Sequence, residues 1–319
     1  FYYKFTETPL LKRMDAGKDY FIDSWETLKG RNISEDDQEM LQMKFDKMYT
    51  TKDIYTIYNW MLDDCGCDLL PEVPYEKRKL PYEDVFPMLY LKYRLSGGNS
   101  THKNIKHLVI DEMQDYTYLQ YTILESLFHC RMTILGDRAQ TLDTKQQDVL
   151  RFLPKLLGRE IRTIEIKKSY RNTLEIARYA EKVSGVSDLE LLDRHGKEVV
   201  EKTFNTDTEL LDELVYHLKC PGDFETAALI TTTEEEAFDL SRLLKLRGIN
   251  VSYVDRNSSA FKKGLTVTTF YLAKGLEFDQ VFALRGAKEN PLKNQAEYIC
   301  ATRALHELYV YEIADSLSK

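Results

Sequence analysis

No run of residues in this chain approaches the ~20 consecutive apolar residues of a membrane-spanning helix, and its start carries no secretory signal pattern. Cysteine is scarce. The five are Cys65, Cys67, Cys130, Cys220 and Cys300. An odd, scattered set argues against a disulfide framework and favours a reducing compartment. Only Cys65-Gly66-Cys67 is a close pair. With no second pair and no clustered histidines, it reads as small residues at a helix end rather than half of a zinc site. Positive charge is also in deficit. Lys and Arg number 44 against 52 Asp and Glu, a formal net charge of -8. A basic field over the whole surface, as expected for tight non-specific nucleic-acid binding, is therefore absent. A local basic groove, or a partner protein with a basic surface, stays open. Repeats and low-complexity tracts are absent. So is any Gly-x-x-x-x-Gly-Lys-Ser/Thr phosphate loop: Gly17-Lys18 lacks the earlier glycine and is followed by Asp19, and Gly97-Gly98 has no lysine in register.

What is present suffices for two domains. The chain has 319 residues, 43% hydrophobic and 30% charged, ordinary values for a globular chain. Residues 1–100 read mostly helical. Ser34, with Asp37 three residues on, predicts a capped helix over Glu35–Met48. Further helices are expected at Thr51–Asp64 and Tyr82–Leu95, with Pro71, Pro74 and Pro81 between them. The tyrosines here are read as packing residues rather than a base-stacking platform. After the flexible Ser96–Ser100 loop, strands and helices alternate, which argues for a mostly parallel sheet. Strands are expected at Ile105–Ile110, Met132–Leu135, Arg162–Ile166, Val199–Thr203, Thr226–Ile230, Asn250–Tyr253, Leu265–Thr269, Gln280–Ala283 and Leu308–Tyr311. Helices are expected at Tyr118–Phe128, Gln147–Leu157, Thr173–Val183, Asp207–Leu218, Glu234–Arg247 and Pro291–Leu305. Thr233 before Glu234-Glu235-Glu236 reads as an N-cap with acidic residues in the first turn, not as a metal site.

Five segments carry the chemistry. In His107–Asp115 (HLVIDEMQD) an apolar strand ends in Asp111-Glu112, which places two carboxylates at the carboxyl edge of a sheet. One can hold a magnesium ion, usually through water, and the other can orient and deprotonate an attacking water. That is the layout of a Walker B element; a solvated acidic strand end is the alternative. Gly136-Asp137-Arg138-Ala139-Gln140 follows the next strand, and a glutamine amide can bond a phosphate oxygen or a water. In Ser169-Tyr170-Arg171-Asn172 an arginine near a helix start can reach a phosphate, or simply lie on the surface. Lys274-Gly275-Leu276-Glu277-Phe278-Asp279 offers a glycine for close backbone approach and Glu277 for a ribose hydroxyl. Ala301-Thr302-Arg303-Ala304 puts an arginine before the last strand, where it can stabilise charge on a transferring phosphoryl group.

In this order the five segments resemble motifs II to VI of superfamily 1A helicases of the UvrD/Rep type, over roughly residues 105–312. The closer resemblance is to the HelD/helicase IV branch, because Tyr271-Leu272-Ala273-Lys274-Gly275-Leu276-Glu277-Phe278-Asp279 has Tyr271 where the wider family usually has a nucleic-acid-contacting histidine. The Tyr82-Glu83-Asp84 helix start also looks like that branch. The resemblance implies P-loop NTPase, RecA-like α/β domains: a helical region at 1–80, an insertion or bridge; the second half of a first RecA-like domain at 81–157; and a complete second one at 158–319. It implies ATP and Mg2+ as cofactors. Asp111 would hold the metal through water and Glu112 would activate the nucleophile. Gln140, Arg171 and Arg303 would face the phosphates, with Gly275 and Glu277 at the nucleotide. DNA is the expected partner, RNA polymerase the alternative, with a monomer in a bacterial cytoplasm. Two departures stand out. The aromatics that stack on single-stranded bases are missing after Gln140, where Thr141-Leu142-Asp143 follows. The missing phosphate loop leads us to expect it upstream of Phe1, so that this piece alone binds ATP poorly and hydrolyses little. No nuclease constellation is seen.

Overall fold

The structure, a computed structural model, describes residues 2–97, 102, 104–141, 149–158, 161–185, 190–219, 224–258, 263–285 and 291–314. Cys220, Leu142 and Asp143 lie outside the described residues. Among the described residues no helix is long and apolar enough to cross a membrane. The chain forms two compact units, Phe1–Leu135 with Gln147–Glu160, and Gly136–Gln146 with Ile161–Lys319.

The first unit opens with helices α1 (Arg13–Lys29), α2 (Glu35–Asp46), α3 (Ile54–Asp64) and α4 (Tyr82–Ser96). Ser34 caps α2, accepting the Asp37 N–H at 3.2 Å. The second expected helix starts later than the apolar pattern suggested, because Asp53 is its cap. Both Asp53 carboxylate oxygens are taken by Arg78, at 2.9 Å each. Tyr55, Tyr58, Leu62 and Leu70 form a small core with Met88 and Leu91. The Tyr58 hydroxyl donates to Asp84 at 2.7 Å, tying α3 to α4. These two tyrosines pack, as read; Tyr75 and Tyr82 are exposed. Cys65 and Gly66 lie at the end of α3, Gly66 with φ +68°.

Strands β1 (His107–Ile110) and β2 (Arg131–Ile134) pair in parallel. Helices α5 (Tyr118–Leu127) and α6 (Val149–Leu157) cover one face, where Ile110, Tyr121, Val149, Phe152 and Leu153 are buried. Thr117 and Gln120 make a full capping box at the start of α5, which satisfies backbone N–H groups the helix itself leaves open.

The second unit contains β3 (Lys168–Ser169), α7 (Leu174–Ser184), β4 (Glu190–Leu191), β5 (Val200–Phe204), α8 (Asp207–Lys219), β6 (Thr226–Thr231), α9 (Glu234–Leu246), β7 (Ser252–Tyr253), β8 (Gly264–Thr269), β9 (Phe278–Arg285), α10 (Lys293–Arg303) and β10 (Ala304–Ile313). Six strands form one sheet in the order β5-β10-β9-β6-β8-β7, every pair parallel. Side chains of a strand alternate between faces, and here both faces are buried. Ala228, Ile230, Val281, Ala283, Leu308 and Val310 pack with α7 and α10 on one side. Leu229, Val267, Phe282, Tyr309 and Tyr311 pack with α8 and α9 on the other. That double burial explains why β6 and β9 read as continuous apolar runs. The mixed α/β fold and its six-stranded parallel sheet are consistent with a RecA-like domain. The Thr233 cap of α9 is present as a capping box with Glu236.

One connection is unusual. Register pairs Thr269 with Thr231 at the end of β8, and Ala227 with Gln280 near the start of β9. The eight residues 270–277 must therefore return along about six residues of strand, roughly 20 Å. They do so as turns without a helix, with Phe270 and Ala273 buried in the core against α7 and α10.

The expected strand at Arg162–Ile166 is not formed. The whole stretch is exposed, and pairing is confined to Lys168↔Glu190 and Ser169↔Leu191. Alternation alone does not make a strand without a neighbour to bond. At the end of the chain α10 stops at Arg303 and β10 begins at Ala304, earlier than expected.

Phe282 is 1% exposed and stacks on Tyr309 with ring centroids 4.6 Å apart. Phe282→Ala is expected to cost about 3–5 kcal/mol in urea unfolding. A loss under about 1 kcal/mol would mean the sheet core is not packed as described.

Candidate functional site

The first unit by itself carries Asp111 and Glu112. Leu135 N–H donates to Ile110 O, and Met113 N–H donates to Leu135 O, both at 2.8 Å. Residues 110 and 113 are thus pinned to one residue, the one just after the neighbouring strand, and the two between them must turn. Glu112 absorbs the turn with φ 53°, ψ 49°, the one positive φ outside glycine among the described residues. A left-handed glutamate costs on the order of 1–2 kcal/mol. Asp111 Oδ1 accepts the Glu112 N–H at 2.8 Å, and Glu112 Oε2 accepts from the Gln114 side-chain amide at 2.5 Å. Met113 and Gln114 are buried, Asp111 exposed. Among the described residues no three His, Cys, Asp or Glu side chains converge for a metal. A single carboxylate fits a magnesium ion that arrives with phosphates and keeps its waters.

The second unit gathers the other four segments. Ala304 pairs with Phe278 at the start of β10 and β9. Arg303 and Glu277, one residue earlier in each strand, therefore lie together at the amino edge of the sheet. Arg303 is 3% exposed. Its guanidinium donates to Leu276 O and to Gln140 Oε1, each at 3.4 Å, and to Thr302 Oγ1 at 3.2 Å. Lys274 Nζ donates to Gln140 O at 3.4 Å. Asp137 Oδ2 accepts from Gln140 Nε2 at 3.0 Å and from the Tyr298 hydroxyl at 2.8 Å. Burial, and after it the Asp137 carboxylate, pushes the Tyr298 hydroxyl well above the ordinary phenol range.

Arg171 Nε meets Glu277 Oε1 at 2.8 Å, both side chains half exposed. Asn172, buried, donates to Ala301 O at 3.2 Å and Ala304 O at 2.6 Å, the carbonyls that bracket Thr302-Arg303. Arg194 donates to Arg171 O at 2.9 Å and Leu305 O at 3.3 Å, and contacts His306 Nδ1 at 2.9 Å. Two side chains thus fasten the 171–172 segment to the 301–306 segment.

The expected residues of the second unit are brought together, with differences of detail. Gly275 has a φ of +83°, and a Cβ there meets nothing within 4 Å. Glu277 is engaged by Arg171. Tyr271, following Thr269, stands at the opposite, carboxyl edge, where its hydroxyl donates to Glu234 at 2.9 Å. Sequence reading missed Tyr298, Asn172 and Arg194 as parts of this arrangement. The first two lie within or beside quoted motifs; Arg194 carries no local signal.

No protein-family model and no curated protein sequence matches the chain. Among solved structures it is similar to the C-terminal domain of a possible DNA helicase from Lactobacillus plantarum WCFS1, with 26% identity over 46% of this chain and 88% of that one, at a TM-score of 0.38. It is also similar to the PRRSV helicase, with 17% identity over 82% of this chain and 46% of that one, at a TM-score of 0.39. The chain thus spans under half the length of the second.

The loop carrying Arg194 is anchored at the start of α7. Glu175 accepts from His195 Nδ1 at 2.9 Å and from the Gly196 N–H at 2.8 Å. The His195 bond, first among several, pulls Glu175 down to about 2, and Glu175 in turn raises His195. The lowered carboxyl stabilises the fold above its ordinary range and loses that effect as pH falls toward about 2. The raised imidazole stabilises below its ordinary value and loses the effect as pH rises through its folded pKa. The Tm difference between wild type and Glu175→Gln is expected to be largest between those limits and to shrink on either side. A difference independent of pH would remove the ion pair from the anchor.

Proposed function

We propose that this chain is part of an ATP-driven nucleic-acid motor of superfamily 1. One observation supports this best: Gln140, Arg171, Glu277 and Arg303, up to 163 residues apart, are joined at one sheet edge. The two arginines and Gln140 suit a triphosphate. Arginine presents a fixed fork of donors to phosphate, and Gln140 presents an amide for phosphate or water. In the first unit Asp111 would hold magnesium through water, and the metal would neutralise phosphate charge. Glu112 would orient and deprotonate the attacking water. Its left-handed backbone supports that role, since strain of this kind clusters at functional sites. Gly275 and Glu277 would lie at the nucleotide, with Glu277 exchanging Arg171 for a ribose hydroxyl.

The phosphate loop is absent from these 319 residues, so the proposal places it elsewhere in the intact protein. Nucleic acid is assigned to the carboxyl edge near Tyr271, opposite the phosphate-facing residues. A second reading has a specific basis: the net charge of -8 and the tyrosine form of the 271–279 segment favour a HelD-like ATPase that binds RNA polymerase and releases or recycles transcription complexes.

In the intact protein, Glu112→Gln is expected to abolish ATP turnover while a fluorescent ATP analogue still binds. Full hydrolysis by that variant would take Glu112 out of the mechanism. Stimulation of hydrolysis by single-stranded DNA, with no polymerase retained in a pull-down, selects the motor. Retained polymerase without DNA stimulation selects the recycling factor.

A further inference from the structure

We infer that Tyr298 is a positioning residue that fixes which end of the Gln140 amide faces Arg303. Four side chains form a chain of hydrogen bonds that closes through one helix. The Tyr298 hydroxyl donates to Asp137 Oδ2 at 2.8 Å. The same oxygen accepts Gln140 Nε2 at 3.0 Å, while Asp137 Oδ1 accepts the Ala139 N–H at 3.0 Å. Gln140 Oε1 accepts from Arg303 Nη2 at 3.4 Å. Tyr298 and Arg303 stand five residues apart on α10, so both ends of the chain are anchored to one rigid element.

Proton chemistry gives the ring a direction. An arginine side chain only donates, and an ionised aspartate only accepts. The amide between them must therefore turn its oxygen to Arg303 and its nitrogen to Asp137, although either orientation has the same shape. Tyr298 donates the bond that keeps the Asp137 carboxylate in place for this. Burial of its ring within the core on the α7 and α10 side leaves the hydroxyl little freedom to look elsewhere.

The functional meaning rests on the reading of Gln140 and Arg303 as phosphate-facing residues, but the test does not need nucleotide. Tyr298→Phe removes one oxygen and keeps the ring. In the 15N-labelled chain without ligand, the Gln140 side-chain amide and the Arg303 Nη2–H signals are expected to shift. Their hydrogen exchange should rise about tenfold, the loss of roughly one hydrogen bond. Tyr179→Phe is the control. Its hydroxyl donates to Glu297 on the same helix at 3.0 Å and touches neither Gln140 nor Arg303. It is expected to leave both signals in place. Unchanged signals in Tyr298→Phe would overturn the inference. Equal changes in both variants would also overturn it, since Tyr298 would then only support the helix. Failure of the intact protein to bind an ATP analogue would sink the nucleotide reading and leave this result standing.

Discussion

The pairing of Phe278 with Ala304 sets the geometry of the candidate site in the second unit. It places two segments 26 residues apart on adjacent parallel strands and sets the residues just before them side by side. Ligands in open parallel sheets usually gather at the carboxyl edge, where loops are long and helix starts face the crevice. Here the basic and amide groups gather at the amino edge. The cause is the connection between β8 and β9, which crosses back without a helix. Its residues are spent on returning along the sheet, so Lys274 to Glu277 are delivered to the edge where β9 begins. Tyr271 stays behind at the other edge. One eight-residue stretch thereby reaches both ends of the sheet through its apolar core. A displacement at one end has a packed, near-incompressible route to the other.

The sequence disclosed elements wherever burial is double-sided or capping is strong. β6 and β9 read as strands because both their faces are covered, and α9 because Thr233 and Glu236 close its first turn. The strand ahead of Asp111-Glu112 was legible because a short apolar run forms it. The failures have one origin. Arg162–Ile166 alternates like a strand, yet alternation says nothing about a partner. Arg194 was invisible because its importance lies in bonds to residues 171, 305 and 306, which only the fold brings near. Arg303 was read as an arginine before the last strand; its burial, at 3% exposure, comes from the start of β10 directly behind it, which local sequence does not reveal.

The contacts around the candidate site fall into two strengths, and the division has a consequence. Asn172 holds backbone carbonyls at 2.6 and 3.2 Å in a buried setting. Breaking such bonds leaves buried polar groups unmet, about 1–3 kcal/mol each. They are framework. The Arg303 contacts to Leu276 and Gln140 are 3.4 Å long, and the Arg171–Glu277 pair is half exposed, where an ion pair contributes only about 0–1 kcal/mol. These groups give up little when an anion replaces their present partners. A charge-assisted, bidentate contact with phosphate is the stronger bond. On the proposed reading, exchange toward an anionic ligand would leave the framework behind it intact.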